Sequence, residues 1–192
     1  MPMDWQAQYE AGEMPWDEEA AHPALLDFIA EAGPFRGRIL VPGCGRGHDV
    51  RAVSTAENRV TGLDIAPAAI AKAGEYARTG NEEYVAGDLF KLPPEMSAAF
   101  DWVVEHTCFC AIPPELRPDY ATAVAGAVKP GGQLFGIFYL EPAVDRHPPY
   151  GVTVRELDAF FESSFALVRE WVPARTFEGR ESRELVRVHR RL

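Results

Sequence analysis

An alternation of two sequence patterns through residue 138 constrains the fold most strongly. Short apolar runs bounded by glycine and proline, typical of buried strands, lie at residues 38–41, 60–64, 84–86, 100–104 and 133–138. Patterns with helical spacing lie before and between these runs, at residues 22–32, 48–56, 67–77 and 113–127. Consecutive parallel strands need crossover connections, which are usually helices. The alternation therefore predicts a mostly parallel sheet with helices on both faces.

The C-terminal part predicts a different connection. A helical pattern at residues 153–163 opens with Thr153 and, three positions later, Glu156, which is the spacing of a capping box. Two more strand patterns, at 165–172 and 184–190, are joined by a loop too short for a crossover helix, so we expect an antiparallel C-terminal hairpin. The basic charges of the last strand are expected on a solvent-facing side. With no internal repeat or linker, residues 1–192 are predicted to form a single α/β domain.

Composition and charge disfavour several classes of function. The net charge of −10 predicts no nucleic-acid partner, because phosphate backbones repel an anionic protein. No apolar run approaches the roughly 18 residues of a membrane span, and no signal peptide opens the chain. The three cysteines are therefore expected to be free thiols in the cytoplasm. Cys108 and Cys110 lack the second pair of ligands that a zinc site needs, so no metal is expected.

A glycine-rich segment joins the first predicted strand to the helix after it. Gly43, Gly45 and Gly47 allow a sharp turn and a close approach of a ligand to the backbone. Asp64 ends the second strand about 20 positions later, where a carboxylate binds the hydroxyls of a ribose. The spacing G-x-G-x-G differs from the G-x-G-x-x-G of nicotinamide dinucleotide sites, which disfavours an oxidoreductase. The segment therefore predicts a nucleoside-type ligand that has no pyrophosphate to bind at the N-terminus of the helix.

These features resemble the class I S-adenosylmethionine-dependent methyltransferases over nearly the whole chain. The resemblance implies a Rossmann-like, open, mostly parallel seven-stranded sheet and S-adenosyl-L-methionine as the cofactor. Gly87-Asp88-Leu89 looks like the segment in which an acid and its apolar neighbour contact the adenine, although a Gly-Asp pair also forms simple turns. The expected cofactor-binding residues in the strand-end segments are Gly43, Cys44, Gly45, Gly47, Asp64, Ile65, Asp88 and Leu89.

Three stretches narrow the resemblance to the thiopurine S-methyltransferase superfamily and its bacterial and plant thiol and halide methyltransferases. They are Trp5…Tyr9…Trp16-Asp17, then V-P-G-C-G-R-G-H-D, and T-C-F-C-A-I-P-P-E-L-R at residues 107–117. In these relatives, aromatic residues matching Trp5, Tyr9 and Trp16 close over the cofactor, so residues 1–17 are expected to form a lid arm. Aromatic faces attract a sulfonium cation, which gives the three rings a physical use. The alternative is a hydrophobic arm that only docks on the domain.

The resemblance implies methyl transfer to a small sulfur, selenium or halide nucleophile of the thiol, hydrosulfide, thiocyanate or thiopurine type. Many such nucleophiles are partly or wholly anionic near pH 7, so no strong general base is required. The alternatives are a small-molecule O- or N-methyltransferase and a non-catalytic cofactor-binding protein. A small-molecule substrate and a monomer are expected.

Three residues are candidates for the substrate end of the site. His106 lies at the carboxyl end of the fourth strand, where open α/β sheets bind ligands, and is expected to orient the substrate or take a proton. It stands where relatives are expected to have arginine or tyrosine. Glu105 beside it is expected to hold the methionine end of the cofactor or only to line the strand end. Tyr150 belongs to a proline-rich loop, residues 147–151, which matches a region that shapes the substrate pocket in relatives.

Overall fold

The computed structural model describes residues 3–142 and 148–192, so His147 lies outside the described residues. The helices are α1 Trp5–Ala11, α2 Pro23–Ala32, α3 His48–Val53, α4 Pro67–Ala73, α5 Arg117–Ala127 and α6 Val154–Phe161. The strands are β1 Arg38–Pro42, β2 Arg59–Asp64, β3 Glu82–Ala86, β4 Phe100–His106, β5 Val128–Tyr139, β6 Phe165–Trp171 and β7 Glu184–Arg191. Each helix in the described ranges is too short or too polar to cross a bilayer.

All seven strands form one sheet, in the order β3-β2-β1-β4-β5-β7-β6. The first five run parallel, and Leu40 of β1 pairs with Thr61 of β2 on one side and Val103 of β4 on the other. Strand β7 is antiparallel to both β5 and β6. The predicted open, mostly parallel sheet with an antiparallel C-terminal hairpin is confirmed. The strand order reverses between β1 and β4, and open α/β sheets bind ligands at such a switch point.

Helices cover both faces of the sheet, as predicted. Because successive side chains of a strand point to opposite faces, Leu40 belongs to one hydrophobic cluster and Ile39 to the other. The cluster around Leu40 contains Val124 of α5 and Leu157 of α6. The cluster around Ile39 contains Leu25 of α2 together with side chains of α3. The sheet is therefore the middle layer of a three-layer core.

Several helices have the capping residues that their sequences suggest. Thr153 and Glu156 form the predicted capping box at the start of α6. Helix α2 begins at Pro23, and the ring Nδ1 of His22 accepts a hydrogen bond from the backbone N–H of Ala24 at 3.1 Å. Caps of this kind satisfy N–H groups that have no partner within the helix.

Some helix boundaries were predicted wrongly. No helix was predicted before residue 22, yet Asp4 caps α1 and Gly12, with a φ of 74°, ends it. The seven residues of α1 are too few to show a clear apolar period. Helices α3 and α4 end before their predicted limits, and one short 3₁₀ turn, Pro114–Leu116, occupies part of the predicted 113–127 helix.

The basic charges on β7 were predicted to face solvent. This is wrong for Arg187 and His189, which are only 1% and 2% exposed, whereas Arg190 is exposed as predicted. Both faces of β7 are covered, because Leu185 packs into one hydrophobic cluster and Val188 into the other. The guanidinium of Arg187 is paired with Asp158 at 2.8 Å and with Glu170 at 2.6 Å.

Candidate functional site

A cavity of about 450 Å³ lies at the carboxyl ends of the parallel strands. Most of the residues predicted to bind the cofactor or substrate line it. They are Trp5, Tyr9, Trp16, Gly43, Cys44, Gly45, Asp64, Ile65, Asp88, Leu89 and His106. Because these residues come from segments far apart in sequence, the fold itself assembles the site.

The glycine-rich loop and Asp64 form one wall of the cavity. The carboxylate of Asp64 accepts hydrogen bonds from the backbone N–H groups of Gly45 and Ala66, both at 2.9 Å. Burial raises the pKa of Asp64 above its usual value, and these amides act against the shift. Gly43 has a φ of 59°, and a Cβ there would lie 2.8 Å from the Cβ of Cys108. Only glycine fits this close approach of β1 to the end of β4.

Gly47 does not line the cavity. It precedes α3 with a φ of 75°, and a Cβ at this position would lie 2.5 Å from the ring of Tyr84. Its requirement for glycine comes from the turn into the helix and from packing against β3. The ligand-facing part of the loop therefore ends before Gly47.

Three aromatic side chains of the N-terminal segment form a cluster beside the glycine loop. The ring centroids of Trp5 and Trp16 are 5.2 Å apart, and those of Tyr9 and Trp16 are 5.8 Å apart, both in edge-to-face geometry. Tyr9 is 4% exposed, and a Cβ on Gly45 would lie 2.8 Å from its hydroxyl. The cluster packs against Ala69 of α4. The N-terminal segment thus places aromatic rings over the same loop that holds Asp64.

Acidic residues that follow the aromatic cluster attach this segment to the rest of the site. Asp17 lies 3.3 Å from both Arg46 Nη1 and His48 Nε2. Glu18 lies 3.2 Å from Nη2 of Arg180, in the loop between β6 and β7. No role was predicted for these residues from the sequence, where the position of Asp17 directly after Trp16 was the available signal.

A network of histidines and carboxylates lies at the other end of the cavity. His106 Nδ1 is 2.7 Å from Asp49 Oδ2. The ring of His22 meets that of His106 edge to face, with centroids 4.6 Å apart. His22 Nε2 lies 2.8 Å from Glu184 Oε2. Asp49 was not predicted as a site residue, although it directly follows the glycine-rich loop and begins α3 with His48.

Potential metal-binding atoms of His22, His106 and Glu184 lie within 4.8 Å of one another. The hydrogen bonds around His22 do not suit a metal ligand. Its Nδ1 accepts a hydrogen bond from the N–H of Ala24, so the neutral ring carries its proton on Nε2, which donates to Glu184. Burial lowers the pKa of His22, which favours this neutral form. We interpret the cluster as a hydrogen-bonded network.

Glu105 lies outside the cavity in this structure. Its carboxylate accepts a hydrogen bond from the N–H of Phe109 at 2.7 Å and another from the hydroxyl of Tyr120. Burial raises its pKa from 4.5 to about 7, against the effect of these hydrogen bonds. Its contacts place it under the end of β4, away from a bound ligand.

Tyr150 also does not line the cavity, whereas Pro148 and Pro149 of the same loop do. The backbone of Tyr150 is held at two points. Its N–H donates to Cys110 O at 2.7 Å, and its carbonyl accepts from Arg117 at 2.9 Å. The buried guanidinium of Arg117 therefore fixes the loop from behind.

The three cysteines, Cys44, Cys108 and Cys110, all line the cavity and are free. Burial raises the pKa of each thiol, that of Cys110 to about 12. The protonated thiols are weak nucleophiles and weak ligands, so the cysteines contribute small apolar surface to the cavity wall.

A family model described as thiopurine S-methyltransferase (TPMT) matches residues 1–184. Thiocyanate methyltransferase 1 of Arabidopsis thaliana is 39% identical over 156 residues, covering 78% of this chain and 67% of the relative. Probable thiol methyltransferase 2 of the same plant is 33% identical over 158 residues, covering 80% and 69%. A Burkholderia thailandensis 1,6-didemethyltoxoflavin-N1-methyltransferase structure, solved with S-adenosylhomocysteine, superimposes with a TM-score of 0.73 at 22% identity, covering 96% of this chain and 84% of that one.

Proposed function

This chain belongs to the thiopurine S-methyltransferase family and is an S-adenosylmethionine-dependent methyltransferase, and from this premise we propose that its acceptor is a small sulfur nucleophile. The family resemblance seen in the sequence is confirmed by the match over residues 1–184. Relatives named for thiocyanate and for thiols support sulfur as the accepting atom. Selenium and halide acceptors share the softness of sulfur and belong to the same proposal.

The residues present fit the cofactor. We propose that Asp64 takes the ribose hydroxyls, that the backbone of Gly43 and Gly45 lies against the amino-acid part, and that Asp88 and Leu89 contact the adenine. All five residues line the same cavity of about 450 Å³, so one ligand can reach them together. S-Adenosylmethionine supplies a methyl group bound to a positively charged sulfur.

The aromatic cluster is the observation that carries the proposal. Trp5, Tyr9 and Trp16 line the same cavity as Asp64 and the glycine loop. Aromatic faces attract an onium cation by about 0.5–2 kcal/mol, depending on how far the site excludes water. We propose that their closure over the cavity also excludes water from the reacting groups. We therefore propose that residues 1–17 act as a lid arm.

One assay tests the proposal. The protein is incubated with methyl-labelled cofactor and a panel of thiols, hydrosulfide, thiocyanate, iodide, selenite, thiopurines, phenols and amines. We expect label in the sulfur acceptors. Transfer only to phenols or amines would support the O- or N-methyltransferase alternative. Transfer to nothing, with cofactor binding seen by calorimetry, would support a non-catalytic binding protein.

We further propose that the chain is one domain that works as a monomer in the cytoplasm on a small molecule and without a nucleic-acid partner. A single sheet supports the first point, and a lone α/β domain of this size can work as a monomer. The free cysteines suit a reducing compartment. The net charge of −10 opposes binding to phosphate backbones. Sedimentation of the purified protein tests the oligomeric state.

A further inference from the structure

We propose that the acceptor enters the site as a neutral thiol, hydrogen sulfide included, and that His106, held by Asp49, takes its proton. The inference rests on the proposed methyl transfer to sulfur and adds the protonation state of the substrate. The proposed acceptor differs from thiocyanate, the compound for which one relative is named, because thiocyanate is an anion without a proton to lose.

The contact with Asp49 fixes which nitrogen of His106 is basic. Asp49 Oδ2 lies 2.7 Å from His106 Nδ1, and Asp49 Oδ1 accepts the backbone N–H of His22 at 2.9 Å. Burial raises the pKa of Asp49, but the hydrogen bonds from the ring of His106 and from the backbone N–H of His22 act against that shift. An ionised Asp49 makes Nδ1 the donor, so the lone pair of neutral His106 lies on Nε2.

In the pair formed by Asp49 and His106, Nε2 of His106 is the ring nitrogen that Asp49 does not contact. The atom is buried and accepts no hydrogen bond from the described residues, while the residue lines the cavity. Buried polar atoms are nearly always hydrogen-bonded. A donor supplied by a ligand in the cavity, such as an S–H group, would satisfy it. His22 cannot do so, because its Nε2 proton is directed to Glu184.

The charges around this ring disfavour an anion. The groups facing it are Asp49 of α3, His22 before α2 and Glu184 of β7. On its own strand the neighbour is the buried carboxyl of Glu105. Arg180 also lines the cavity, but its guanidinium is itself paired with two carboxylates, those of Glu18 and Glu184. An anionic acceptor would be repelled here, a neutral thiol would not, and the protonated His106 that results is stabilised by Asp49.

The proposed step balances without another reactant. The S–H bond of the acceptor breaks and its proton moves to His106 Nε2. A bond forms between that sulfur and the transferred methyl carbon. The electron pair of the broken methyl–sulfonium bond stays on the donor, which becomes a neutral thioether. The proton on His106 is released to solvent when the site opens.

The test compares His106→Asn and Asp49→Asn with the parent protein, using ethanethiol as the acceptor across a range of pH. At neutral pH we expect His106→Asn to lower kcat by about 100-fold or more, the usual size of a general-base effect. The loss should shrink as pH approaches the pKa of the thiol, because thiolate then forms in solution. Asp49→Asn should lower kcat by a smaller factor, and this loss should depend on pH in the same way. If His106 acts as a general base of this strength, kcat/KM of the parent protein should be at least about tenfold higher for ethanethiol than for thiocyanate.

A second measurement does not depend on turnover. In ¹⁵N NMR spectra of histidine-labelled protein, assigned with His106→Asn, the neutral form of His106 should carry its proton on Nδ1, and Asp49→Asn should move that proton toward Nε2. Glu31→Gln is the matched control, since Glu31 pairs with Arg169 on the surface and does not line the cavity. It should change neither the spectrum nor the pH profile.

Two results would overturn the inference while leaving sulfur methylation intact. One is a decrease in kcat of His106→Asn that is the same at every pH, with cofactor affinity and melting temperature unchanged. Such a result would indicate a purely steric role for His106. The other is a preference for thiocyanate over ethanethiol. Transfer by the parent protein to no sulfur acceptor would overturn the proposed function together with this inference.

Discussion

The carboxylate of Asp17 lies 3.3 Å from Nη1 of Arg46, which joins the segment after α1 to the glycine-rich loop after β1. The two side chains are 9% and 19% exposed, so water and salt screen the pair less than a surface ion pair. Because Asp17 directly follows Trp16, the pair also fixes the aromatic cluster. We expect an electrostatic contact in this position to couple closure of the proposed lid arm to the glycine-rich loop.

Asp17→Asn should therefore weaken cofactor binding without unfolding the domain. We expect the dissociation constant measured by calorimetry to rise about fivefold, which corresponds to a loss of about 1 kcal/mol for one partly shielded ion pair. Asp27→Asn removes a surface pair with Arg175 and serves as the control. Equal affinities for the two variants would show that the contact with Arg46 does not hold the lid.

The aromatic cluster should distinguish a cationic ligand from a neutral one. Trp16→Leu should weaken binding of S-adenosylmethionine more than that of S-adenosylhomocysteine, by a factor of about 3–20, because only the former carries the charge that attracts an aromatic face. Trp171→Leu is the control, since this ring packs beside Phe28 in the core. If Trp16→Leu lowered the affinity for both ligands by the same factor, the ring would contribute apolar packing alone.

Asp64 and Glu105 should differ sharply in their effect on cofactor affinity. Asp64→Asn removes a charge that lines the cavity, and we expect an increase of about tenfold or more in the dissociation constant, the cost of weakening charged hydrogen bonds. Glu105→Gln changes a carboxyl group bound to Phe109 and Tyr120 outside the cavity, so affinity should stay the same. Calorimetry on both variants at pH 7 gives the comparison. A loss in Glu105→Gln equal to that in Asp64→Asn would restore Glu105 as a cofactor ligand.

The sequence predicted the parallel part of the sheet well because its signals are local. The run at 38–41, the glycines from Gly43 and the acid Asp64 each lie within a few residues of a strand end. A parallel sheet brings those ends together whatever the details of packing. The same reasoning placed His106 at the cavity.

Contacts between distant segments had no such signal. Segments distant in sequence cover both faces of β7 and bury Arg187 and His189, and no property of residues 184–191 alone reveals it. The partnership of Asp49 with His106 likewise depends on the distance between α3 and the end of β4. Glu105 does not line the cavity, because neighbouring residues at a strand end point in opposite directions and His106 takes the cavity side.

His189 should make the fold less stable in mild acid. Its ring is 2% exposed and lies 5.4 Å from that of Phe161. Burial, with the nearby charge of Arg187 as a smaller cause, lowers its pKa from 6.5 to about 4. Since the unfolded chain takes up the proton first, the free energy of unfolding should decline as pH falls from about 6.5 to 4, by about 3 kcal/mol from this group.

Other groups also titrate in this range, so the prediction concerns a difference between two proteins. His22 shares the direction of the shift, and it is present in both. His189→Leu replaces the ionisable ring by an apolar side chain that can pack against Phe161 and Phe165. Urea unfolding at pH 7 and at pH 5 should show a smaller loss of stability in the variant than in the parent, because only the parent gains a proton at this position on unfolding. An identical decline in the two proteins would mean that His189 is protonated within the folded sheet, with Asp158 near enough to compensate its charge.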